Sequence, residues 1–467
     1  MVKYQGKGVY GAIAVGKISV FKRQDIQVER IRIEDTDGQR EVNGAVEALI
    51  KTLSEYGVSY DEGFVMGENG ELVEKGVYGP YKQSERAEIY QCFAKKLVKE
   101  GLAYPCFCTA EDLEAVRKVQ EENKIRTGYH GEYAKHRDIT YEQAKSLVDE
   151  GKSFVVRLRS PGSEENRITF EDTIKGKIEM PENDEDFVLL KSDGIPTYHF
   201  AHAVDDHLMR TTHVIRGDEW ISSVPKHIQL FKLLGFKVPK YAHVAPIMKE
   251  DNGSKRKLSK RKDPEAAVRF YIEQGYPADS VTEYLLTVAN SDFEEWRRAN
   301  QGVSNENFKL NLKKMSVSGA LFDLAKLNDI SKNVISKFDA NTVLNFVIEW
   351  AKEFDSELYE LINADTDYAL QIFTIDRDVP KPRKDIAKWN EVKDYVSYFY
   401  DSIFENEYIL PEHISNADAV KILELYKNVY DENDDRNAWF DKIKSICPEA
   451  GFCPEVKLYK ANPESYR

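Results

Sequence analysis

The sequence predicts an α/β domain interrupted by an insertion and followed by a nearly all-helical C-terminal half. Segments rich in Val, Ile and Tyr with extended character mix with helical apolar spacing over the first 260 or so residues. Beyond about Pro264 helical spacing takes over. The length, 467 residues, sets a soft prior of about three domains.

Residues 8 to 34 read as extended, with Ile31 and Ile33 alternating with Arg30, Arg32 and Glu34. From Val42 to Tyr56 the spacing becomes helical, placing Val42, Val46, Leu49, Ile50 and Leu53 on one face. A turn-rich stretch at Gly79-Pro80 leads to a second helix, roughly Glu85 to Glu100, carrying Ile89, Phe93, Leu97 and Val98. The segment from 101 to 190 mixes short strands, such as 154–158, with helices. Strand-like residues 187–190 open a second α/β unit, and Val214-Ile215-Arg216 reads as a strand end. Helices are expected at 341–354, 390–404 and 417–430. No internal repeat and no low-complexity linker is apparent.

Charged residues make up 31% and hydrophobic ones 42%, ordinary for a protein that buries a core. Mean hydropathy is −0.55 and no window approaches 18 consecutive apolar residues, which excludes a membrane span. A net charge of −14 argues against nucleic-acid binding over the whole surface, yet leaves room for a local basic groove. Five unevenly spaced cysteines suit a reducing compartment better than a disulfide framework. Lys3 and Lys7 ahead of an apolar run mimic a short signal peptide. Three glycines break that run, so a strand pair in a cytoplasmic protein is the expectation.

Three strings carry chemistry. Residues 249–262 hold seven basic residues against Glu250 and Asp251, and include Lys257-Leu258-Ser259-Lys260-Arg261 beside the turn Asn252-Gly253-Ser254. Mobile ammonium groups on such a loop suit the charge of a transferring triphosphate; a solvated basic loop or a nucleic-acid contact is the alternative. In Arg32-Ile33-Glu34-Asp35-Thr36-Asp37, acids stand at the carboxyl end of a strand, where open α/β sheets bind ligands. Glu34 suits an ammonium group, and capping of the following helix is the plainer role for Asp35 and Asp37. The third string runs from Lys191 through Tyr198-His199 and Asp205-Asp206-His207-Leu208 to Arg216-Gly217-Asp218-Glu219-Trp220, and concentrates four of the nine histidines. Their spacing matches no zinc pattern.

Together, and in this order, the strings resemble bacterial glutamyl-tRNA synthetase, a class I aminoacyl-tRNA synthetase, from about Ile31 to the C-terminus. Residues 79–86, Ala103-Tyr104-Pro105-Cys106-Phe107-Cys108 and Pro225-Lys226-His227 fit the same family, and the Asp-Asp-His-Leu stretch looks like its glutamyl branch. The resemblance implies a Rossmann-like class I catalytic domain with an atypical first strand at 31–78 and 190–250. It further implies an α+β connective insertion gripping the tRNA acceptor end at 79–189. The basic loop and a stem-contact domain would follow at 251–328, and an all-α anticodon-binding domain at 329–467. The implied reaction has two steps: glutamate and ATP, taken with Mg2+, give glutamyl adenylate, and tRNA(Glu) then accepts the glutamyl group. In most of the family activation also needs bound tRNA. tRNA(Gln) stays open as a second acceptor, and a monomer is the common family state.

By residue matching, Glu34 would hold the substrate ammonium with Tyr198 beside it, and His202 stands where the family often has a polar residue. Arg216 would pair with the side-chain carboxylate, where a bidentate fork distinguishes acid from amide. Glu219 and Trp220 would lie along the ATP site with Ser259, while Lys260 and Lys257 would steady the phosphates as the catalytic lysines.

The chain departs from the family in two places. No Pro-Ser-Pro-Thr-Gly turn or His-Ile-Gly-His-like motif precedes Glu34. Residues 1–30 instead resemble the N-terminus of phosphoenolpyruvate-protein phosphotransferase, although that family's active-site histidine segment occurs nowhere in the chain. A chimera joined near Arg-Ile-Glu-Asp is one expectation. The function is then read two ways: a working glutamate-tRNA ligase, or an impaired synthetase-like protein that binds tRNA without efficient charging. The second departure concerns zinc, which some relatives bind through Cys-x-Cys and a later Cys-x-His. Cys106 and Cys108 match the first pair, but Tyr133 and Lys135 occupy the second, with His130 or His136 nearby. No zinc is expected.

Overall fold

The computed structural model of the chain describes residues 21–23, 26–28, 30–36, 44–259, 261–404, 409–412 and 414–462. These divide into two compact units, Met1–Tyr395 and Val396–Arg467.

The first unit opens with an antiparallel strand pair, Phe21–Arg23 with Ile26–Val28. Backbone from Arg30 to Ile33 then bridges Glu62 and Lys82 in parallel. Alternation of Ile with Arg ordinarily gives a strand with one wet face, but here both faces are buried. Ile31 and Ile33 pack on Leu49 of helix Ala45–Glu55, with Val46 and Leu53 partly buried against them. That helix is the one expected at 42–56, although Val42 lies outside the described residues. On the other face Arg32 meets Asp205 at 3.4 Å, Asp206 at 3.2 Å and Glu34 at 3.1 Å. Burial works against the Arg32 charge, but the three carboxylates outweigh it and raise its pKa.

Helix Ala87–Lys99 buries Tyr90, Ala94 and Leu97 in the largest apolar cluster, together with Phe200, Val204, Leu230 and Phe231. Ile89 and Phe93 pack against that cluster as their spacing predicts, whereas Val98 is 38% exposed. Val98 falls one residue past Leu97, about 100° around the helix and off the apolar stripe.

Two sheets frame the middle of the unit. Strands Ala103–Cys106, Val155–Leu158 and Val188–Leu190 form an antiparallel three-stranded sheet. In the four-stranded sheet, His213–Gly217 pairs in parallel with Lys240–Val244, which meets Arg167–Asp172 in parallel; Gly176–Pro181 closes the edge antiparallel. The parallel pair needs a crossover, and helix Val224–Leu233, with Pro225 in its first turn, supplies it. This sheet therefore joins strands from both sides of residue 189.

A hairpin, Met248–Asp251 with Ser254–Lys257, turns at Asn252 (φ 51°) and Gly253 (φ 79°). Left-handed backbone at both positions is what Asn-Gly favours in a two-residue hairpin. From Val268–Gln274 to Thr366–Thr374 the described chain is mostly helical, and Ala340–Phe354 matches the helix expected at 341–354.

The long helix expected at 390–404 does not form as one element. Its place is taken by short turns at Trp389–Glu391 and Ser397–Phe399 and a five-residue helix at Val392–Val396. The run Tyr395-Val396-Ser397-Tyr398-Phe399-Tyr400 is aromatic and β-branched, which weakens helix propensity. In the second unit, Asn416–Val429 is the helix expected at 417–430 and starts at a Ser415–Asp418 capping box. Arg436–Ala450 and Val456–Ala461 follow. Among the described residues no helix is long and apolar enough to cross a membrane.

Candidate functional site

A cluster of polar side chains is built at the carboxyl end of strand His213–Gly217 and the start of helix Tyr198–Leu208, where α/β sheets place ligands. Arg216 is almost wholly buried. Its Nε donates to His243 Nε2 (3.0 Å), Nη1 donates to the Tyr198 hydroxyl (3.1 Å) and lies 3.3 Å from His227 Nδ1, and Nη2 donates to the Trp220 carbonyl (3.2 Å). The Tyr198 and Trp220 rings are 4.6 Å apart. Burial pushes the Tyr198 phenol up; Arg216 opposes the shift, and the charge of Glu34 adds to it. Glu34, Arg216 and Trp220 are thus each within electrostatic or contact reach of Tyr198.

Glu34 spends one carboxylate oxygen on Arg32 Nη2 (3.1 Å). Its other oxygen, Oε2, is buried and has no hydrogen-bond partner among the described residues. A carboxylate oxygen left this way is costly unless a donor arrives. Asp35 caps a different helix from the one expected: it accepts from the backbone N–H of Ser84 (2.8 Å), at the turn leading into helix Ala87–Lys99. Asp37 lies outside the described residues.

His202 is fully buried and turned into the protein. Its Nδ1 is 3.0 Å from Asp206 and its Nε2 is 3.1 Å from the Tyr241 hydroxyl. It supports the wall beneath Tyr198, with ring centres 5.8 Å apart.

At the other end, exposed Lys257 lies 3.3 Å from Glu219. The Ser259 N–H donates to Asp263 (2.8 Å), and the Ser259 hydroxyl accepts from Arg261 N (3.4 Å). Lys260 lies outside the described residues. Asp263 is the hub of this loop, taking Arg256 Nη1 (2.6 Å) and Nη2 (2.9 Å), with Lys249 at 3.3 Å. The Arg256 fork and the Ser259 N–H hold its carboxyl far below the usual carboxylate range, against the effect of burial. Sequence reasoning passed over Asp263, and its only signal was an acid ending a basic run. It also missed His243, Asp172 and the placement of His227.

At the Cys-x-Cys segment the third donor is His136. Its Nδ1 lies 3.7 Å from Cys106 Sγ and 3.3 Å from Cys108 Sγ, and the Tyr129 hydroxyl contacts both thiols. Tyr133 instead lies against His130, with ring centres 6.1 Å apart, and Lys135 meets Asp112 at 3.2 Å. Burial pushes the Cys108 thiol up and the His136 imidazolium down. Three donors from His, Cys, Asp and Glu come together here among the described residues. A closed structural zinc site needs four, so the set does not complete one.

The comparisons agree with this architecture. The family described as tRNA synthetases class I (E and Q), catalytic domain, matches residues 28–329, and the chain belongs to that family. The fold is a class I synthetase catalytic domain followed by a helix-rich C-terminal region. Among its relatives, a glutamate–tRNA ligase of Clostridium perfringens is 51% identical over 441 residues, 94% of this chain and 80% of the relative. One from Clostridium beijerinckii is 50% identical over 465 residues, 98% of this chain and 83% of the relative. A solved glutamate tRNA ligase from Elizabethkingia meningosepticum, crystallised in complex with its amino acid, superposes with a TM-score of 0.71 at 25% identity. It covers 91% of this chain and 84% of that one.

Proposed function

We propose that the chain is a glutamate–tRNA ligase: it activates glutamate with ATP, taken with its Mg2+ as substrate, and passes the glutamyl group to tRNA(Glu). The observation that carries this reading is a buried cation, Arg216, and an anion, Glu34, both acting on Tyr198, with the buried Oε2 of Glu34 lacking a donor among the described residues. A free amino acid with an acidic side chain presents the complementary set. Its side-chain carboxylate suits the guanidinium, and its ammonium suits the carboxylate.

Tyr198 and Trp220 wall the pocket between them. Glu219, Ser259, Lys257 and Lys260 take the ATP end, where positively charged groups offset charge that shifts to the leaving pyrophosphate. The substrate α-carboxylate attacks the α-phosphorus, pyrophosphate leaves, and a ribose hydroxyl of tRNA then attacks the acyl carbon and releases AMP. The domain limits proposed with this activity are catalytic 31–78 and 190–250, connective 79–189, stem-contact 251–328 and anticodon-binding 329–467. A monomer in the cytoplasm fits the reading, and tRNA(Gln) is a second acceptor to be tested. The comparisons lend no support to an impaired or chimeric protein; the relative from C. beijerinckii matches over 98% of the chain.

ATP–pyrophosphate exchange in the presence of tRNA tests the activation step. Exchange should depend on glutamate and be at least about 100-fold weaker with glutamine, the scale on which a site loses a ligand that leaves its buried charge unpaired. Equal exchange with both amino acids would refute the assignment of the pocket.

A further inference from the structure

Three residues stand in a row across neighbouring strands: Arg216 on His213–Gly217, His243 opposite it on Lys240–Val244, and Asp172 at the end of Arg167–Asp172. All three are buried. Asp172 Oδ1 accepts from the N–H groups of Ile174 (3.0 Å) and Lys175 (2.9 Å). Its Oδ2 accepts from the His243 N–H (3.1 Å) and lies 2.6 Å from His243 Nδ1. The far side of the ring, Nε2, faces Arg216 Nε at 3.0 Å.

The arrangement admits one proton placement. An arginine Nε–H only donates, so His243 Nε2 must carry the lone pair, and the ring proton must sit on Nδ1 facing Asp172. Burial and the nearby Arg216 charge disfavour a second proton on the ring, although Asp172 pulls the other way. Asp172 itself stays ionised, because His243 and the backbone N–H of Lys175 outweigh its burial. The pair therefore presents a fixed acceptor to Arg216 Nε. With Tyr198 and His227 Nδ1 on Nη1 and Trp220 on Nη2, that acceptor fixes the guanidinium plane, and a ligand carboxylate at the Nη1–Nη2 edge would take over protons now facing these groups. A carboxylate needs that plane, since it accepts two parallel N–H bonds where an amide offers one oxygen.

We propose that Asp172 and His243 are positioning residues that hold Arg216 in the orientation selecting a side-chain carboxylate over an amide. The proposal rests on the reading of Arg216 given above. Its test uses substitutions that separate the two ring nitrogens. In His243→Gln the amide oxygen reaches the place of Nε2 and keeps the bond to Arg216; in His243→Asn the shorter side chain reaches only the place of Nδ1.

Steady-state charging of tRNA by the full chain, after circular dichroism has checked folding, should give a glutamate KM within about threefold of the parent for His243→Gln. His243→Asn should raise that KM about 10-fold or more, change kcat less, and narrow the preference for glutamate over glutamine. Equal KM values for the two variants, or a fall in kcat at unchanged KM, would overturn the proposal. Asp172→Asn provides the test if neither histidine variant folds. An amide N–H facing Nδ1 would drive the ring proton to Nε2, against the Arg216 donor, so KM should again rise and an unchanged KM would count against the pair. Arg216→Ala separates the two levels of the argument. If it leaves the glutamate KM unchanged, the pocket reading fails; if it raises KM while the His243 and Asp172 variants do not, only this inference fails.

Discussion

A buried carboxylate oxygen without a donor is the sharpest clue at the scale of single residues. Glu34 Oε2 is such an atom among the described residues, and leaving it so costs about 1–3 kcal/mol. A protein keeps that cost where a ligand repays it. Glu34→Gln should therefore raise the glutamate KM by about 10- to 100-fold, the range of a charge-assisted hydrogen bond, while the melting temperature stays level or rises. A melting temperature that drops with KM unchanged would make Glu34 a structural residue. Glu34, Tyr198 and Arg216 were legible in the sequence because each sits in a motif at the end of a strand or the start of a helix. His243 and Asp172 were not. They lie 71 residues apart, and only the order of strands in the sheet puts them side by side. His202 was singled out in the sequence only by the resemblance, as standing where the family often has a polar residue, and its orientation was not legible, because Asp206 one helical turn away and Tyr241 on a distant strand claim its two nitrogens.

Among elements, the hairpin of residues 248–257 and the loop after it behave as one device. The Asn-Gly turn makes the hairpin tight, and Asp263 ties its base to Arg256, Lys249 and the backbone of Ser259. Asp263→Ala releases all three anchors. Catalytic efficiency with respect to ATP should fall about 10- to 1000-fold, the effect of losing a preorganised charge contact. The dissociation constant for glutamate, read by calorimetry, should stay within about threefold, because the glutamate pocket lies on other elements. Loss of glutamate binding in step with ATP efficiency would show that the loop does not act separately. The turn here was readable from Asn252-Gly253-Ser254. The broken helix after residue 390 was not, since its spacing satisfied a helical period while its aromatic and β-branched content worked against a helix.

For the molecule as a whole, the α/β first part and the helical remainder followed from periodicity alone. Periodicity could not say that Arg167–Asp172 joins the parallel strands, because strand order depends on contacts between residues far apart in sequence. The same sheet gives the fold a pH dependence. Burial lowers the pKa of His243 below its ordinary value of about 6.5. The unfolded chain thus takes up a proton near that pH that the folded chain refuses. Stability from this group is present above about pH 6.5 and is lost as pH falls through the folded value. His136, lowered by burial, adds in the same direction. The urea midpoint should decline between pH 7.5 and 5.5, and less so in His243→Gln; a midpoint that rises over that interval would contradict the buried neutral imidazole.

The most direct test of the central claim is charging of purified tRNA with labelled glutamate by this chain, with Lys260→Ala as the blank. Glutamyl-tRNA should form at a rate well above the blank, at least about 100-fold, as expected when one catalytic charge is removed. Charging no faster than the blank, with tRNA still bound, would contradict the assignment and leave a synthetase fold that holds tRNA without acylating it.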